Sequence, residues 1–366
     1  MMKKCGASKP HEGTTMRTTN FFLTSVLIAG PILAQDKPAD APHGMDHMQH
    51  GGFMQGGMHH AMAKGVKLEQ KIDGHTIIVR IGPMNLPART NHIKMPQPPD
   101  LEWQIPIDGW LLAYSPKLVG ADGSEVSGRV LHHTAFWNEN RADFLCPNKE
   151  EHIFGAGGEL TNWAEVPGYG YRVQMGDKIR IETMVHNPTD TSYDNVYLEV
   201  TIPYQQAADS SATIKSIYPT WMDVKSCGNS GYDLPAGKSE QTGTVTEKYN
   251  GILLGVGGHM HDYAKQLTLE DVTRKETVAT LEAKVDDHGE LLSMPTVLFL
   301  DRGGYKFTAG DVLKISATYD NTTGKLLRDG AMAIVVGYFV PVDDAVMATL
   351  RRKPPGQRMS GMSHDQ

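Results

Sequence analysis

Between residues 75 and 345 the chain is a succession of short runs rich in Val, Ile, Thr and Tyr, each cut off by Gly, Pro, Asn or Asp. "HTIIVRIG", "GWLLAYSP", "NVYLEVTIPY", "VLKISATYD" and "AMAIVVGYFVPV" have strand length, and "KIRIETMVH" alternates apolar and polar residues as a half-buried strand does. Few stretches keep a 3.6-residue period long enough to compete. Such a chain buries its apolar residues by stacking sheets, so the pattern predicts an all-β protein made of sandwiches. The 366 residues suit two domains of common size, and the polar stretch "PYQQAADSSATIKS" offers a break near residues 203–216.

The two ends read differently. The apolar run "FFLTSVLIAGPILA" ends in small residues and is too short to span a bilayer. It reads as the core of a signal peptide covering residues 1–35, with Met16 and Arg17 before it; an uncleaved anchor is the other reading of the same pattern. The expectation is an exported protein, periplasmic or secreted, with no stable membrane span. Residues 36–70 follow as a Gly, His and Met-rich stretch without apolar period, expected to be disordered. It is either a flexible linker or a copper-collecting tail. The expected order is completed by a first sandwich over 71–205, a second over 206–345, and a polar tail over 346–366. Cys5 would leave with the signal, and Cys146 and Cys227 then suggest one disulfide in an oxidising compartment.

The net charge of −7 and the lack of a basic cluster with interleaved aromatics argue against nucleic acid as a partner. Met (19) and His (16) are the conspicuous residues, and thioether and imidazole together suit copper. Four places in the β region could carry that chemistry: His132 and His133 in "VLHHTAFWN", His186 in "IETMVHNPT", His259 and His261 in "GGHMHDY", and Met332 in "DGAMAIVVGY". Residues i and i+2 of a strand share a face, so His259 and His261 can converge on one ion. Neighbours such as His132 and His133 face opposite ways and can share an ion only at a strand end or a bulge. His186 reads either as a hydrogen-bonded core histidine or as their third partner, and Met332 either as core filling or as a soft ligand.

Taken in order, His-His, a His at a strand end, His-x-His and a strand Met resemble the copper type II, ascorbate-dependent monooxygenases, the family of peptidylglycine α-hydroxylating and dopamine β-monooxygenases. The resemblance spans roughly residues 75–345. It implies two jelly-roll-type β-sandwich domains in tandem, facing each other across a solvent-filled cleft, with two copper ions per chain. It further implies an electron-transfer copper at His132, His133 and His186, and a catalytic, oxygen-activating copper at His259, His261 and Met332. Ascorbate or a similar one-electron reductant would be co-substrate, with dioxygen and a small molecule as partners. The match has gaps. Gly257 stands where the peptide-amidating branch has a basic substrate anchor; Ile334 and Met184 replace polar residues of that branch. Peptide amidation is therefore not expected, and a smaller or less polar substrate is. The function expected is hydroxylation of a C–H bond. The alternative is a non-catalytic exported copper-binding protein for buffering or delivery, and a third reading leaves the histidines incidental to a structural or ligand-binding sandwich.

Overall fold

Alternation in the sequence becomes alternation in space. In the strand Val312–Asn321 half-buried and buried residues follow one another without a break, and Thr76–Leu86 does the same over most of its length. The computed structural model describes residues 61–351 apart from 160, 161, 210–212 and 229. The expected signal peptide, residues 36–60 of the Met/His-rich stretch, and residues 352–366 lie outside the described residues.

The protein is all-β, its strands arranged in several sheets. An eight-stranded sheet and a four-stranded sheet are made by strands between Lys67 and Ser216. A five-stranded and a second four-stranded sheet, with two small two-stranded ribbons, are made by strands between Tyr218 and Pro341. Every ladder among the described strands pairs within one of these two sets, and all but the short pairing of Lys215–Ser216 with Tyr169–Val173 are antiparallel.

Order begins and ends beyond the expected limits. The first strand starts at Lys67, the first set of strands runs past 205 to Ser216, and the stretch expected to be an unstructured tail starts with a helix, Ala345–Ala348. The reason is packing and charge that a local pattern does not display. Met347 is fully buried, and Arg351 donates to Asp177 at 2.5 Å.

One hydrophobic core runs through both sets of strands, where Phe144 stacks on Phe339 with ring centres 5.2 Å apart. Cys146 and Cys227 form a disulfide that joins the two sets. Beside it Lys149 Nζ donates to Gly228 O at 2.6 Å, and Lys248 Nζ donates to Leu145 O at 2.6 Å. Trp221 Nε1 donates to His152 O at 2.5 Å a little further along. These ties bring the strands Leu131–Ala142 and Gly251–Met260, which carry the His-His and His-x-His motifs, to the same junction. No described helix is long and apolar enough to cross a membrane.

Candidate functional site

The adjacent histidines meet because the strand that carries them is irregular. Against Lys178–Val185, His133 lies opposite Met184 and Leu131 opposite Val185, which leaves His132 as the extra residue of a bulge. The bulge cancels the alternation of faces, and the Nδ1 atoms of His132 and His133 stand 2.9 Å apart. Two imidazole nitrogens this close either share one proton or face a common cation. His186 follows the end of Lys178–Val185, its N–H donating to Val130 O at 3.1 Å, and its ring centre lies 5.1 Å from that of His132.

The His-x-His motif ends the strand Gly251–Met260. Met260 between the two histidines turns into the core, at 1% exposure, as alternation requires. His259 Nδ1 is 3.0 Å from Glu159 Oε1, and Gly157 N–H donates to the same oxygen at 3.1 Å. Burial raises the Glu159 carboxyl, but the charge and hydrogen bond of His259 outweigh it and hold it below its ordinary value. An ionised carboxylate only accepts, so His259 Nδ1 donates and its Nε2 is the nitrogen left over. The Nε2 atoms of His259 and His261 are both buried without a hydrogen-bond partner. Tyr319 ties the motif to Met332: its hydroxyl accepts from His261 N at 3.2 Å and from Met332 N at 3.4 Å, and donates to Met332 O.

The expected residues gather at one junction, but not as two trios across a cleft. The rings of His132 and His261 lie 5.1 Å apart, so the two motifs touch. His132, His186, His259 and His261 open on one cavity of ≈ 870 Å³ including its part open to solvent. His133, His259 and Met332 open on a second of ≈ 680 Å³ on the same measure. His259 and Glu159 line both. Among the described residues no three His, Cys, Asp or Glu side chains are grouped around one point as ligands of a bound metal would be. In kind, however, the donors fit copper: a cluster of imidazoles, and a carboxylate behind one of them.

Burial keeps the imidazoles of His132, His133, His186 and His261 neutral. It pushes His133 down to about 3 and His186 to about 4, and drives His132 and His261 well below the ordinary imidazole value, with neighbouring histidines adding to the effect at His132, His133 and His261. Their lone pairs are therefore available at neutral pH.

Two site residues escape a reading of the sequence. His92 sits in a loop, and its ring centre is 4.7 Å from that of His132. It arrives there through the backbone bridge between Thr90 and Asn187, a contact over almost a hundred residues that no local pattern announces. Glu159 comes from the turn after the strand Glu150–Gly157, and nothing in its neighbourhood in sequence links it to His259. Arg129 and Glu290, which both line the larger cavity, form an ion pair between the two sets of strands.

No family model and no curated protein sequence matches the chain. Among solved structures it overlaps a chain from the atomic structure of Sulfolobus Turreted Icosahedral Virus, at 9% identity, 78% of this chain, 96% of that one and a TM-score of 0.33. The major capsid protein P2 of bacteriophage PM2 overlaps at 12% identity, 71% and 97% coverage and a TM-score of 0.32. PNGF-II overlaps at 10% identity, 77% and 62% coverage and a TM-score of 0.32. At such scores these overlaps carry no functional information.

Proposed function

We propose that the protein is an exported copper-dependent monooxygenase that hydroxylates a C–H bond of a small molecule, using dioxygen and electrons from an ascorbate-like donor. The observation that carries this reading is the convergence of His132, His133, His186, His259 and His261 at one junction, with two buried imidazole nitrogens lacking any partner. Copper bound there would supply one-electron chemistry toward dioxygen. The chain's own part is positional. Glu159 holds the ring of His259 in one tautomer, the bulge turns His132 beside His133, and Tyr319 fixes the backbone of His261 against that of Met332. Burial keeps His132, His133, His186 and His261 unprotonated and thus able to act as ligands.

The test is copper stoichiometry with EPR of the oxidised protein, alongside ascorbate-dependent oxygen uptake, in the parent and in Met332→Ala. The reading expects type II copper in both and uptake lost in the variant. Full activity in Met332→Ala would remove Met332 from the site. A second reading, copper binding without turnover, is favoured by Gly257 and Ile334 standing where the peptide-amidating branch has substrate-binding residues. It expects copper uptake with no oxygen consumption above that of free copper.

A further inference from the structure

The smaller of the two cavities has a composition that selects its occupant. Val256, Ile334 and Val336 line it from two paired strands, and Trp163, Trp221 and Tyr338 complete an aromatic wall. The rings of Trp163 and Trp221 lie 5.5 Å apart at an interplanar angle of 29°, and Trp221 stacks on His152 with centres 3.4 Å apart.

The polar tips of this wall are already engaged. Trp221 Nε1 donates to His152 O at 2.5 Å, Trp163 Nε1 to Gly155 O at 3.2 Å, and Tyr338 Oη to Ala164 O at 3.4 Å. The rings therefore offer the cavity faces and edges rather than donors. Among the described residues no lysine, arginine or aspartate lines it, and the one carboxylate among them, Glu159, is taken up by His259 and the Gly157 N–H. A ligand carrying charge would leave water here without a free counter-charge, a loss that apolar walls do not offset. His259 and Met332 line the same space, so a molecule held there lies beside two of the residues assigned to copper.

We infer that this cavity is the substrate site and that it takes an uncharged, apolar molecule in preference to an amine or a carboxylate of the same size. The inference rests on the monooxygenase reading for the word substrate; the binding selectivity itself does not depend on metal.

The experiment uses three probes of nearly equal shape, toluene, benzylammonium and benzoate, with the metal-free full-length chain and saturation-transfer NMR. A blocking variant is available in Gly257→Leu, because a Cβ at Gly257 meets only Thr296 Oγ1, at 3.5 Å, and a longer side chain there enters the cavity. Toluene is expected to bind, the two charged probes at least tenfold more weakly, and Gly257→Leu to lose the toluene signal while keeping the parent's circular dichroism. The inference is overturned if toluene fails to bind, if either ion binds as tightly, or if the blocked variant, still folded, binds toluene as before. Copper uptake measured on the same samples separates the two ideas. Selective toluene binding in a chain that takes up no copper supports the cavity and removes the monooxygenase reading. Copper-dependent oxygen uptake without toluene binding does the reverse.

Discussion

The rings of His132 and His261 stand 5.1 Å apart, edge to face, although the residues are 129 positions distant in sequence and belong to different sets of sheets. This contact makes the junction one histidine cluster and ties together the two motifs that the sequence presents separately.

Contact of this kind predicts coupling. In a double-mutant cycle of His132→Ala and His261→Ala, the losses in copper affinity should deviate from additivity by roughly 0.5–3 kcal/mol, as for residues sharing a network. Competition titration with a copper chelator measures it. Additive losses would assign the two histidines to independent sites.

Gly157 should tolerate no side chain. A Cβ there would lie 2.5 Å from Glu159 Oε2 and 2.8 Å from His259 Cε1, displacing the pair that orients His259. Gly157→Ala is expected to weaken copper binding roughly ten- to hundredfold, the usual cost of disturbing the groups behind a ligand. The same titration checks this, with the thermal melt showing that the fold persists. An unchanged affinity would mean that the Glu159–His259 contact does not serve metal binding.

The disulfide between Cys146 and Cys227 encloses a sequence separation of 81 and joins the two sets of strands. Its removal in Cys227→Ala should lower stability by about 2–5 kcal/mol, read from the urea midpoint. The lysine hydrogen bonds to Gly228 O and Leu145 O remain, so the variant should still fold. A midpoint equal to that of the parent would show that the bridge contributes nothing.

Glu247 sets a pH dependence away from the histidines. It is 2% exposed, neither carboxylate oxygen has a hydrogen-bond partner, and burial with the nearby Asp311 pushes it up to about 8 from 4.5. Above pH 4.5 the unfolded chain releases a proton that the folded chain keeps until about pH 8, so stability falls across that window and levels off beyond it. Glu247→Gln should remove this fall and exceed the parent at pH 8.5 by on the order of a few kcal/mol. Urea unfolding at pH 5 and 8.5 measures the difference; equal slopes in the two proteins would contradict it.

The all-β character was readable from the chain because alternation and turn residues are local properties, felt within a few positions. "KIRIETMVH" became the strand Lys178–Val185 with His186 just past its end, and the H-x-H spacing put Met260 into the core and left His259 facing the cavities. Adjacent histidines also announced that they needed a strand end or a bulge, though not which of the two it would be. What no local pattern held was partnership over distance. His92 reaches His132 through a bridge to Asn187, Glu159 reaches His259 over a hundred positions, and the buried Met347 accepts a hydrogen bond from Arg141 far upstream. Strand periodicity follows from backbone geometry that every residue carries with it. The meeting of two sheets follows from which apolar faces find each other, and only the folded chain decides that.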